Sequence, residues 1–172
     1  MKKGIVIKEI KARCDDPEKI REVLKSQNAR FVGTDSQKDT YFNCSNGRLK
    51  LREGTIENTL IHYKRENKAG PKTSKVNLYK PNDGAPLKTV LKEALGVLVE
   101  VDKTREIYFI ENIKFHIDTL KGLGTFVEIE AIDETGEKGE VFLQKQCETY
   151  LDLFGINEND LISVSYSDMI VG

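Results

Sequence analysis

The chain has 172 residues, 32% of them charged, and a formal net charge of only −1. That length suits one domain with a sizeable core. The balanced charge argues against a protein built for nonspecific nucleic-acid binding, which would normally be basic. Cys14, Cys44 and Cys147 are too far apart, and odd in number, for a zinc site or a paired secreted framework. No stretch is long and apolar enough to span a membrane, and the apolar run near Ile5 is too short for a signal peptide. A cytoplasmic protein with reduced thiols is expected.

In chain order, a first strand is predicted from Ile5 to Arg13. Asp15-Asp16-Pro17 then opens a helix with Ile20, Val23 and Leu24 at helical spacing. A strand is expected at Asp39–Asn43, and the Asn46-Gly47 turn should fold it into a hairpin with Arg48–Glu53. Thr59–Glu66 and Ser74–Lys80 read as further strands joined by a Gly70-Pro71 loop. Asn82–Gly84 precedes a helix that stops at Gly96. A meander follows: Val99–Ile110, Ile113–Leu120 and Gly124–Asp133. A long helix is expected over Gly139–Phe154, and the SVSYSDMIVG tail ends in a short helix or turn. About eight strands and three main helices, mostly antiparallel, suggest a closed or nearly closed β-barrel of the α+β class with helices packed outside.

The charge pattern says what that barrel holds. Arg48, Lys50 and Arg52 alternate with Leu49 and Leu51; Lys103 and Arg105 sit two apart; Glu128 and Glu130 alternate with Val127 and Ile129; Glu9 and Lys11 alternate with Ile10 and Ala12. Side chains two apart on a strand share a face. Each segment therefore has an ionic face and an apolar face. If helices cover the apolar faces, the ionic faces point inward, toward a polyanion and metal ions. Taken one strand at a time, such alternation is more often the solvent face of an antiparallel sheet.

Several segments resemble the CYTH superfamily, also called the triphosphate tunnel metalloenzymes. FHIDTLKGLGTFVEIEA (Phe115–Ala131) resembles the family's Asp-bearing strand, Gly-Leu-Gly turn and Glu-bearing strand. KTREIY (Lys103–Tyr108), QKDTYF, LKLRE and SYSDMI fit in order, and the resemblance spans nearly all of residues 1–172, read as a single CYTH domain. The spacing from Asp118 to Glu128 looks most like class IV adenylyl cyclases. The N-terminal E-x-E-x-K motif is matched at Glu9 and Lys11, but Ile7 stands where the first Glu belongs.

The resemblance implies a triphosphate gripped by Lys11, Arg52, Lys64, Lys75, Lys103 and Arg105. It implies Mg²⁺ or Mn²⁺ on Glu9, Glu128 and Glu130, with Asp118 as a further ligand, and Glu9, Lys11, Lys103 and Arg105 at the chemistry. Arg grips phosphate oxygens in a planar fork, and a hard cation takes carboxylate oxygens. The leading function is conversion of ATP to cyclic AMP and pyrophosphate. The alternatives are a triphosphatase acting on inorganic, thiamine or nucleoside triphosphate, and a non-catalytic nucleotide- or polyphosphate-binding module, which Ile7 favours. No nucleic acid or membrane partner is expected, and a homodimer is compatible with the reading. Arg48 and Lys50 are balanced between tunnel and rim. His62 and His116 are expected to be structural, and Tyr41 and Tyr108 to pack.

Overall fold

The structure, a computed structural model, describes residues 4–172. Its strands are β1 (Ile5–Arg13), β2 (Arg30–Phe42), β3 (Arg48–Gly54), β4 (Asn58–Arg65), β5 (Lys72–Tyr79), β6 (Val97–Ile110), β7 (Ile113–Leu120) and β8 (Gly124–Asp133). The helices are α1 (Pro17–Ser26), α2 (Gly84–Leu95), α3 (Glu140–Phe154) and α4 (Tyr166–Val171). The strands close into one antiparallel barrel in the order β1-β5-β4-β3-β2-β6-β7-β8, with β8 returning to β1. Closure leaves no strand edge unpaired.

Local chemistry explains the element ends. Asp16 caps α1 by accepting a hydrogen bond from the Lys19 amide, and Pro17 begins the helix. Gly155 stops α3 in the left-handed conformation, at φ 65°. Gly47, at φ 79°, turns the β2–β3 hairpin so tightly that a Cβ there would lie 2.7 Å from the Tyr63 carbonyl oxygen.

The apolar faces of β1, β7 and β8 point outward, and α1 and α3 cover them. Ile10, Ala12, Phe115, Ile117, Val127, Ile129 and Ala131 pack there with Ile20, Leu24, Leu143, Cys147 and Phe154. Burying side chains of this kind stabilises the fold by about 1.5–3 kcal/mol each. A second cluster of Tyr41, Val101, Leu120, Phe126 and Tyr166 belongs to inward-facing strand positions and α4, and it plugs one end of the barrel. The expected barrel with an apolar outside and ionic inside is therefore the observed one.

Strand β2 departs from expectation. It begins at Arg30, well before Asp39, and runs 13 residues. Its first half, RFVGTDSQK, lacks an apolar alternation because Asp35 and Gln37 face inward among ionic neighbours, and a register shift lies between Phe31 and Gly33. The pattern by which strands are read is missing where the buried face is itself polar.

Candidate active site

Strand parity and register together build the site. Across β1 and β8, Glu9 lies opposite Glu130 and Lys11 opposite Glu128. Across β7 and β8, Lys114 faces Glu130 and His116 faces Glu128. Arg105 on β6 lies opposite Asp118 on β7, and Arg52 on β3 opposite Asp39 on β2. Glu9, Lys11, Lys50, Arg52, Lys103, Arg105, Glu128 and Glu130 all line one cavity of about 260 Å³ inside the barrel.

Three ionic clusters organise this lumen. In the first, the fully buried Asp39 carboxylate accepts a bidentate pair from Arg52, Nε and Nη2 both at 2.9 Å, and further bonds from Lys50 Nζ at 3.0 Å and Lys103 Nζ at 2.8 Å. Burial alone would raise the Asp39 pKa, but Arg52, Lys103 and Lys50 outweigh it and hold the carboxyl well below its usual range. Lys103 is pushed well below the usual lysine value by burial, reinforced by Arg105, Arg52 and Lys50 against the pull of Asp39. Asp39 already accepts from all three cations, so an anion entering beside them meets a cationic surface whose charge one carboxylate partly offsets.

In the second cluster, Asp118 accepts from Arg105 Nε and Nη2, both at 2.7 Å, and from the Tyr166 hydroxyl at 2.8 Å. Arg105 also reaches Glu128 at 3.3 Å. Glu128 is held by Lys11 at 3.3 Å and by His116 Nδ1 at 3.0 Å. Burial works against ionising Glu128, but Lys11, Arg105 and His116 keep its pKa well below the ordinary carboxylate value. Burial, with Arg105 beside it, lowers His116, so the ring is neutral near pH 7; its Nδ1–H donates to Glu128 and its buried Nε2 has no partner.

The third cluster sits on β4. Arg65 Nη1 donates to Glu9 at 2.6 Å, while its Nε and Nη2 are buried and find no partner among the described residues. Nearby, Glu57 pairs with Lys114 and lies 3.6 Å from Arg52.

Two sequence expectations are corrected here. Lys64 and Lys75 are exposed, opposite each other on the outer face of β4 and β5. The inward positions of those strands carry Ile61, Tyr63 and Arg65, then Ser74 and Val76. Both faces of YKRE are polar, so composition cannot choose its parity, and pairing with β3 and β5 decides it. His116, expected to be structural, borders the cavity with a bare ring nitrogen. Arg48 lies at the plugged end, bonded to Asp168 twice at 2.8 Å and to Ser165, and so pins α4 in place. Lys50 faces the lumen. Asp39 and Tyr166, which lie inside the matched QKDTYF and SYSDMI segments, and Glu57, Arg65 and Lys114, which lie outside any matched segment, are lumen residues to which the sequence motifs assigned no role. For Arg65 the available signal was its shared parity with Tyr63; for Tyr166 it was the matched SYSDMI segment, which does not say that the residue reaches the lumen.

The donor set accommodates a hard cation. His116, Asp118 and Glu128 offer ligand atoms within 4.8 Å of one another. Asp118 and Glu128, however, already hold the Arg105 guanidinium, which fills the role of the cation. Glu9 and Glu130 are cross-strand partners, and they are less engaged: among the described residues Glu9 has one short ion pair, and Glu130 has only His116, at 3.7 Å. Few carboxylates plus water is the coordination that magnesium favours.

Comparison with known proteins agrees with this architecture. The CYTH domain profile matches residues 8–166. The chain belongs to the CYTH family. This is a family of triphosphate-tunnel enzymes that bind triphosphates and depend on metal ions. A Methanocaldococcus jannaschii relative named "Putative adenylate cyclase MJ0240" is 31% identical over 94% of this chain and 96% of its own length. A Vibrio parahaemolyticus structure described as a putative adenylate cyclase superposes with TM-score 0.80 over 100% of both chains, at 16% identity. A Hippeastrum structure, described as a putative adenylyl cyclase with a dominant triphosphatase activity, has TM-score 0.61 and 16% identity, covering 96% of this chain and 94% of that one. At these identities the two structures bear on the CYTH fold alone. Among the described residues, no helix is long and apolar enough to cross a membrane.

Proposed function

We propose that the lumen binds the triphosphate of ATP and converts it to cyclic AMP and pyrophosphate. The observation that carries the triphosphate half of this reading is Arg65. A buried guanidinium with two unpartnered N–H groups is costly, and an anion in the cavity would satisfy both. Lys11, Arg52, Lys103 and Arg105 border the same space and would share the remaining phosphate oxygens. The named relative at 31% identity makes ATP the first nucleotide to test.

Glu9 and Glu130 would hold the divalent ion, with Glu128 beside them. When bound, the ion supplies Lewis-acid polarisation of a phosphate oxygen and offsets developing charge. The protein's own groups do the rest. Arg65, Arg52 and Lys103 hold the β- and γ-phosphates, while Arg105, locked by Asp118, is a fixed donor toward the α-phosphate. Tyr166 closes the far end and limits water. The ribose O3′ forms a bond to the α-phosphorus, the bond from that phosphorus to the bridging oxygen breaks, pyrophosphate takes the electron pair, and the hydroxyl proton passes to water.

The test is a product assay. Purified protein is incubated with ATP, thiamine triphosphate and inorganic triphosphate, each with Mg²⁺ and with Mn²⁺. Cyclic AMP with equimolar pyrophosphate is the expected result. Phosphate release instead would replace the cyclase reading with a triphosphatase, and tight binding with no turnover would replace it with a binding module.

A further inference from the structure

One part of the lumen is lined mainly by aliphatic side chains. At the end opposite the Tyr166 plug, Ile132 on β8 faces Ile7 on β1, Ile5 on β1 faces Val76 on β5, and Leu78 on β5 faces Ile61 on β4. These three cross-strand pairs span four adjacent strands and border the cavity. None of the six residues belongs to either buried hydrophobic cluster. Leu78 is 49% exposed, and Ile5, Ile7, Ile61 and Ile132 are half-buried. They form a continuous aliphatic wall at the open mouth, facing the space that the ionic clusters share.

A bare polyphosphate cannot use this wall, since aliphatic carbon offers no hydrogen bond and disfavours a desolvated charge. A flat ring can, because covering apolar surface is favourable in proportion to area. The plug dictates the direction of entry: phosphates go first toward Arg65, Lys11 and Lys103, and whatever they are esterified to remains at the mouth. Ile7 strengthens the case. At the position where the sequence motif calls for a carboxylate, this chain presents a branched hydrocarbon to the lumen and continues the wall.

We infer that the wall formed by β8, β1, β5 and β4 is a binding site for the ring-bearing head of a triphosphate ester, and that the protein selects such esters over inorganic triphosphate. This rests on the triphosphate reading of the lumen. Tyr63, Ser74, Lys80 and Glu134 border it in the same cavity, but the six wall side chains carry no hydrogen-bonding group, so the wall itself holds the head by apolar area and not by reading an edge of the ring.

The experiment measures binding without turnover. Affinities for α,β-methylene-ATP, thiamine triphosphate and inorganic triphosphate are determined by calorimetry in EDTA, for the wild type, for Leu78→Asn, and for Ile5→Thr combined with Leu78→Asn. The wild type should bind α,β-methylene-ATP at least tenfold more tightly than inorganic triphosphate, although inorganic triphosphate is the more highly charged. The double variant should bring the two within about threefold while keeping its affinity for inorganic triphosphate, which also shows that the lumen is folded. Leu78→Asn, at a position already half exposed, should show a smaller loss in the same direction. A thiamine triphosphate affinity close to that of the nucleotide marks a site that reads apolar area alone; a tenfold or greater gap between them overturns that part of the inference. Equal wild-type affinities for inorganic triphosphate and both esters, or a preference that survives in the double variant, overturn the wall. If none of the three ligands binds, in EDTA or when Ca²⁺ is added back, the triphosphate reading itself falls, and the head site with it.

Discussion

Asp39→Asn isolates the energetics of the lumen, because it removes one charge from a fully buried anion that holds three cations. Arg52, Lys50 and Lys103 all lie within 3.0 Å of the Asp39 carboxylate, and the carboxylate has no solvent exposure. Breaking a buried ion pair from one side costs about 3–5 kcal/mol, since the remaining charge is left uncompensated. For a chain of this size each kcal/mol moves the melting temperature by about 2–4 °C, so the variant should melt roughly 6–20 °C lower. The same change leaves the lumen more positive by one charge. Saturating inorganic triphosphate should therefore raise the melting temperature of Asp39→Asn by more than it raises that of the wild type. The pH dependence has a defined sign. The Asp39 pKa is depressed in the folded state, so its contribution is fully present above the unfolded value of about 3.9 and is lost as pH falls through the lower folded value. The gap between wild type and variant should stay level from pH 8 to pH 5 and close only in stronger acid. The assay is thermal unfolding followed by circular dichroism, with and without ligand. A variant that melts within 2 °C of wild type, or whose deficit vanishes near neutral pH, would refute the reasoning.

Three further outcomes are expected. Arg65→Ala should weaken inorganic triphosphate binding by roughly thirtyfold or more, about 2 kcal/mol, while Lys64→Ala and Lys75→Ala leave it within twofold; calorimetry distinguishes them, and equal losses at all three positions would contradict the outward parity of Lys64 and Lys75. Glu9→Gln and Glu130→Gln should each raise the Mn²⁺ concentration needed for half-maximal turnover by about tenfold, Glu130→Gln with little change in melting temperature and Glu9→Gln with a loss of stability because it strips Arg65 of its ion pair, whereas Asp118→Asn, which releases Arg105, should chiefly lower stability; a metal titration unchanged in both Glu variants would remove them as ligands. Lys72 donates to the carbonyls of Lys68, Ile162 and Ser163, and burial, with Arg65 adding to it, pushes its pKa down to about 8. Its unfolded pKa is higher, so the folded state binds fewer protons between the two values and stability should rise with pH there. Relative to Lys72→Met, the wild type should gain melting temperature between pH 8 and pH 10; a flat difference would count against the depressed value.

The sequence alone determined the orientation of most of the charged lumen. In Glu9–Ala12, Arg48–Arg52 and Val127–Ala131 apolar and ionic residues alternate, Lys103 and Arg105 sit two apart, and a period of two assigns each residue to a face whatever strand lies next to it. Covering the apolar face then leaves the ionic one no direction but inward. This is why Glu9, Lys11, Arg52, Lys103, Arg105, Glu128 and Glu130 could be placed on one surface without coordinates, and they do line one cavity. Where both faces of a strand are polar, the same rule has nothing to act on. HYKRE can be read in either parity, and only its pairing with β3 and β5 turns Arg65 inward and Lys64 outward. The polar first half of β2 hid Asp35 for the same reason. Contacts between distant segments lie further still from the sequence. Tyr166 reaches Asp118 across 48 residues, and Arg48 reaches Asp168 across 120. The plug, the mouth and the aliphatic wall exist only once the barrel has closed, because each is defined by which strands become neighbours and not by the residues within any one of them.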